Sequence, residues 1–100
     1  MKMVLGIVRP VSLDRVINDL KKIEIVNLTV AEVKGIGEET TLYTTYAIHK
    51  AVLLIVPDDK VDQVTNVIAK SAGLGSAGDG IITVLPVDYM LKIRTMERFE

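Results

Sequence analysis

The stretch Gly73-Leu74-Gly75-Ser76-Ala77-Gly78-Asp79-Gly80 has glycine at four of its eight positions and a hydroxyl at Ser76. Glycine turns through left-handed conformations at little cost, so successive backbone N–H groups in such a stretch can converge on an anion, as they do in phosphate-holding nests. The spacing of Gly73, Gly75 and Gly78 matches G-x-G-x-x-G, but that dinucleotide fingerprint follows a strand and opens a helix. Here the pattern follows a helix and enters a strand, so only the weaker anion-binding content survives. The competing explanation is a loop whose glycines serve only to make its turns. Lys92 and Arg94 are two residues apart, on one face of a final strand, and would supply the cations a di- or triphosphate needs if they faced this loop.

Other chemistry is thin. His49 is the only histidine, so a multi-histidine metal site within one chain is excluded. A site joining His49 to Glu38 or Glu39 across subunits competes with a plain histidine that is partly buried or exposed. No nucleophile, base and acid assemble around Ser12, Ser71 or Ser76, and the pairs Glu38-Glu39 and Asp58-Asp59 read as a solvated loop and a helix start, so no enzyme is expected. Tyr43 and Tyr46 lie near the tip of an expected hairpin, where a hydroxyl could be modified or could simply pack. With no cysteine there is no disulfide framework and no thiolate metal site. A net charge of −1 and four aromatics leave neither the basic face nor the stacking surface of a nucleic-acid binder. The first residues do not form a targeting signal and no apolar run reaches membrane-spanning length, so a cytoplasmic protein without direct membrane insertion is expected.

The elements that must position these residues follow from hydrophobic patterning. Valine and isoleucine make up 25 of the 100 residues, which favours strands. Met3 to Val8 is a continuous apolar run stopped by Arg9-Pro10, as in a strand buried on both faces. Leu13, Val16, Ile17, Leu20 and Ile23 recur at helical spacing behind Ser12 as N-cap, with Asp14 in the first turn and Lys21-Lys22 in the last. Leu28 to Val33 forms a second strand ending on Lys34-Gly35-Ile36-Gly37. Polar residues from Glu38 to Tyr46 then lead into a third strand, Ala47 to Val56, ended by Pro57. Asp58 and Asp59 cap a second helix carrying Val61, Val64, Val67 and Ile68 on one stripe. After the glycine loop come a strand at Ile81–Leu85 and, beyond Pro86, a last strand from Val87 to Arg94.

The order β-α-β-β-α-β predicts one α+β domain over residues 1–100. It is the ferredoxin-like arrangement, an antiparallel sheet with both helices on one face and a short extra C-terminal strand. Two helices leave the other sheet face uncovered although its strands are apolar on both sides. Self-association is the expected cover, and closed symmetric oligomers are its usual form.

Several stretches together resemble the PII signalling proteins, the nitrogen-regulatory family of trimeric ferredoxin-like sensors. They are Arg9-Pro10 with Leu13-Asp14, then Leu28 through Gly37, Ile55 through Asp62, Gly78-Asp79-Gly80, and Lys92-Ile93-Arg94-Thr95 with Glu97. The resemblance implies a homotrimer that binds an adenine nucleotide in inter-subunit clefts, senses energy state and, with ATP, 2-oxoglutarate, and docks a flexible loop on transporters, enzymes or regulators. By position, Ile7, Thr29, Gly35, Ile36 and Gly37 would line the adenosine side. Gly75, Ser76, Gly78, Asp79 and Gly80 would form the phosphate loop, and Lys92 and Arg94 would reach in from a neighbouring subunit.

Three positions depart from the family pattern. Ser76 and Ile81 stand where lysines are usual, and Glu38 stands where an arginine is usual. Each hydrogen bond to a charged group contributes about 1.5–3 kcal/mol, so ADP or AMP is expected in preference to ATP. The loop from Glu38 to Ile48, the expected contact with a regulated protein or membrane transporter, is shorter than the family's. Glu39 falls near the usual glutamine of the 2-oxoglutarate site, so binding of that anion is expected to be absent or altered. Two further readings compete. One is a trimeric metal-binding or transporter-associated scaffold resembling the divalent-cation tolerance proteins, without a nucleotide. The other, weaker, is an acylphosphatase-like enzyme using Arg9.

Overall fold

A computed structural model describes residues 1–37 and 46–100. Strand β1 (Lys2–Val8) is followed by a short 3-10 turn and helix α1 (Leu13–Lys22). Strands β2 (Thr29–Gly35) and β3 (Ala47–Val56), helix α2 (Val61–Ala72) and strand β4 (Gly80–Pro86) complete the main sheet and its helices. The sheet order is β2-β3-β1-β4, with every neighbour antiparallel. This is the ferredoxin-like α+β architecture the element order predicts. The third strand matches its expected bounds because a proline ends the apolar run at position 57.

Register sorts the strand residues onto two faces. Val4 lies opposite Leu54 and Gly6 opposite Val52, and with Val8 and Val56 they share the face covered by the helices. Val16 and Leu20 of α1 and Val64 and Ile68 of α2 fill the space above them, all fully buried. Helix α2 packs over Gly6 through Ile68, whose Cγ2 lies at ordinary contact distance, 3.4 Å, from where a Cβ on residue 6 would stand. The alternate residues Met3, Leu5, Ile7, Leu53 and Ile55 lie on the opposite face, which no helix covers, and their side chains stay partly exposed. On the same face Ile81 is 62 % exposed, a large apolar side chain in water.

The helix starts differ from the sequence expectation. Ser12 is buried and makes no side-chain cap bond, because the chain enters α1 through a 3-10 turn at Pro10–Ser12 that supplies its own backbone bonds. Asp58 and Asp59 likewise sit in a 3-10 turn before α2 and cap nothing. Helix α1 ends on Glu24 at φ 67, with the N–H groups of Glu24 and Ile25 bonding back to Lys21 and Leu20. This is the Schellman closure, made here without glycine.

The expected single last strand from Val87 to Arg94 is instead a separate hairpin of β5 (Met90–Lys92) and β6 (Glu97–Phe99). The Met96 N–H reaches the Lys92 carbonyl oxygen at 2.8 Å and Met96 turns at φ 60, so the chain reverses after Lys92. Lys92 therefore closes a strand and Arg94 sits in the turn, and the two do not share a strand face. No helix among the described residues is long and apolar enough to cross a membrane.

Candidate functional site

The site forms at the end of the sheet where β1 stops, β2 stops and β4 begins. In β1–β4 pairing Ile7 stands opposite Ile81 and Val8 opposite Gly80, while Gly35 pairs with Ala47 at the matching end of β3. An open cleft of about 420 Å³ is lined there by Ile7, Gly35, Ile36, Gly37, His49, Ala77, Gly78, Gly80 and Ile81. That volume lies within the range of roughly 300–1,000 Å³ usual for small-molecule sites. Gly80 adopts φ +110, and a Cβ there would run into the Ile7 carbonyl oxygen, so only glycine lets β4 leave the loop so close to β1.

The loop between α2 and β4 is organised by one carboxylate. Asp79 Oδ2 accepts the backbone N–H groups of Leu74 at 2.8 Å, Gly75 at 2.8 Å and Ser76 at 3.2 Å. Its Oδ1 lies 3.4 Å from Ser76 Oγ and 3.6 Å from Arg9 Nε. Arg9 Nη2 donates to Ser76 Oγ at 2.6 Å, a bond spanning 67 positions of sequence. The guanidinium lies against Gly78, where a Cβ would stand 2.5 Å from Nη2. Partial desolvation pushes the Asp79 carboxyl up, but the three N–H donors and the Arg9 charge outweigh it and hold its pKa below the ordinary 3.8.

Six of the residues read from the sequence therefore meet in one cleft: Ile7, Gly35, Ile36, Gly37, Gly78 and Gly80. Gly75, Ser76 and Asp79 build the loop behind it, and Asp79 lines a neighbouring cleft of about 280 Å³ against α2. Thr29 is not among the lining residues. It begins β2, six residues before Gly35 and so roughly 20 Å along the strand. Lys92 and Arg94 lie on the hairpin that follows the far end of β4, where Pro86 pairs with Lys2, and they do not line the cleft either. Among the described residues no lysine or arginine lines it.

Sequence reading places Arg9 in the family-like Arg9-Pro10 pair and as the arginine of the acylphosphatase-like reading, but misses its contacts with Ser76 and Asp79 of the glycine loop. A third cleft of about 350 Å³, lined by Arg9, Pro10, Val11, Ala47, Ile48, His49 and Gly78, adjoins the first through His49 and Gly78. His49 is buried. Among the described residues no group of three or more His, Cys, Asp or Glu is placed to hold a metal. Glu38, Glu39 and Tyr43 lie outside the described residues. Tyr46 stands just before β3, with Lys34 Nζ 4.8 Å from its ring centroid.

A βαββαβ sheet with a glycine loop closing a cleft at one end defines a protein of the ferredoxin-like α+β class. The family model for nitrogen regulatory protein P-II matches residues 1–97. A nitrogen regulatory protein P-II from Rhizobium etli is 40 % identical over 106 residues, covering 97 % of this chain and 95 % of that protein. One from Nostoc punctiforme is 37 % identical over 107 residues, covering 98 % and 96 %. The crystal structure of Arabidopsis thaliana PII bound to citrate matches with a TM-score of 0.85 and 37 % identity over 99 % of this chain and 88 % of that one. The chain belongs to the nitrogen regulatory protein P-II family, whose members are signalling proteins.

Proposed function

We propose that this protein is a cytoplasmic regulator, not an enzyme, that binds an adenine nucleotide between the subunits of a homotrimer and passes its state to a partner protein or membrane transporter. The observation that carries the reading is the cleft itself. Three stretches far apart in sequence, at Ile7, Gly35–Gly37 and Gly78–Gly80, converge on one concavity of ligand size. Apolar walls from Ile7, Ile36 and Ile81 suit a purine, and glycine backbone beside them suits a phosphate.

The trimer is supported by the uncovered apolar face of the sheet and by the hairpin, on which Ile93 is 90 % exposed and Met96 70 %. In this reading Thr29, Lys92 and Arg94 complete the cleft from neighbouring copies. Those two cations are fewer than a triphosphate needs, so ADP or AMP binds better than ATP. The partner docks on the segment from Glu38 to Ile48.

Calorimetric titration with ATP, ADP and AMP tests the nucleotide. Binding of ADP or AMP in the micromolar range with weaker ATP is expected, and no heat from any of the three at millimolar concentration overturns it. Sedimentation at the same protein concentration tests the trimer.

A further inference from the structure

We propose that Asp79 is an internal anion of the glycine loop, a positioning residue that occupies the loop's N–H nest and fixes the shape a ligand phosphate meets. Its functional consequence rests on the nucleotide reading above. Three backbone N–H groups aimed at one point repel each other and require an acceptor. In this loop the acceptor belongs to the chain: Oδ2 of Asp79 takes the N–H groups of Leu74, Gly75 and Ser76 at 2.8, 2.8 and 3.2 Å.

The second oxygen ties the loop to the rest of the fold. Oδ1 faces Arg9 Nε at 3.6 Å, and Arg9 in turn holds Ser76 Oγ at 2.6 Å while its guanidinium lies against Gly78. A continuous line of contacts thus runs from the end of β1 through Arg9 and Asp79 to the loop backbone. The two residues flanking Asp79, Gly78 and Gly80, both line the cleft. With the nest filled, a ligand phosphate is met by the backbone around Gly78 and Gly80 and not by the N–H groups of Leu74, Gly75 and Ser76. The Arg9 charge is already matched by Asp79, so Arg9 acts as a clamp on the loop.

The test replaces the internal anion with a free one. In Asp79→Ala the backbone amide resonances of Leu74, Gly75 and Ser76 should move away from their wild-type positions, and ADP affinity should fall by at least about tenfold. Formate should return the three resonances toward wild type and restore ADP affinity, whereas formamide, the neutral isostere, should do neither. Unchanged amide resonances in Asp79→Ala, or displaced resonances that formate does not move, would overturn the proposal. The amide measurements need no nucleotide. If wild-type protein gave no ADP heat, the nucleotide reading alone would fail and the resonances would still decide the role of Asp79. Should Asp79→Ala not fold, Asp79→Asn keeps the volume and one acceptor oxygen without the charge. Displaced amides in that variant support the proposal, and wild-type amides reject it.

Discussion

The Ser71 hydroxyl lies 2.6 Å from Asp19 Oδ2 and 2.7 Å from the Val67 carbonyl oxygen, so one buried group on α2 fastens that helix to α1. The Ser71 bond, opposed by desolvation and aided by Lys22 and Arg15, lowers the Asp19 pKa from 3.8. Asp79 is shifted the same way, its desolvation outweighed by the loop's N–H groups and Arg9. A carboxylate whose folded pKa lies below its unfolded value stabilises fully above about pH 4 and loses that contribution as pH falls through the folded value. Urea midpoints at fixed protein concentration should therefore be flat from about pH 5 to 7 and fall below about pH 4. In Ser71→Ala the acid limb should be shallower.

Ile68 is fully buried where α2 crosses Gly6. Truncation there leaves a cavity between helix and sheet that the close-packed backbone at Gly6 cannot fill. Ile68→Ala should cost about 2–5 kcal/mol in equilibrium unfolding.

Gly80 tests whether the cleft depends on the loop's exit into β4. Its φ of +110 disfavours any other residue, and a Cβ would meet the Ile7 carbonyl oxygen. The left-handed conformation alone costs roughly 1–3 kcal/mol in Gly80→Ala, and the collision must also shift β4 against β1. Lowered stability together with at least tenfold weaker ADP binding is expected, read by thermal melting and calorimetry.

Strands and helices were legible where local chemistry decides them. The run Ala47 to Val56 is bounded by a proline, and the stripe Val16, Leu20 and that of Val64, Ile68 fix which helix faces are buried. The caps were not legible. A hydroxyl at Ser12 and carboxylates at Asp58-Asp59 look the same in sequence whether they cap a helix or sit in a 3-10 turn ahead of it. The final hairpin escaped because periodicity gives a strand's faces but not its partner, and the Met96 turn carries no glycine. In the site, the glycine-rich stretch from 73 to 80 marked a loop by its composition, while the convergence of Gly35, Gly37, Gly78 and Gly80 on one cleft came only from the resemblance to the PII family. The Arg9–Ser76 bond left no local trace, since side chains 67 positions apart meet only once the sheet has formed.

Ile81 projects from the start of β4 into the cleft and is 62 % exposed, so a longer cationic side chain fits there without repacking. Ile81→Lys should raise ATP affinity by about ten- to a hundredfold, matching one charged hydrogen bond, with a smaller gain for AMP. Calorimetry on both nucleotides checks the ratio, and an equal gain for the two would contradict an effect of added charge on the distal phosphates.

Leu5 lies on the uncovered sheet face, opposite Leu53 on one side and Thr83 on the other. A carboxylate there would be buried unpaired in any assembly closing that face. Leu5→Asp should sediment at the 11.0 kDa of one chain, where the proposed trimer predicts three times that mass for the wild-type protein. It should also lose nucleotide binding if the cleft is shared between subunits.

Because the glycine loop is folded around a side chain of its own, the nucleotide reading assigns its architecture and the charge of its ligand to different residues. Arg9, Gly75, Gly78, Asp79 and Gly80 determine the shape. Position 81 faces the cleft without contributing its side chain to any of those bonds. A change there can redirect such a protein from one anion to another while every backbone hydrogen bond of the loop stays in place. Under the nucleotide reading, ligand preference would then turn on a position whose side chain takes no part in holding the loop together.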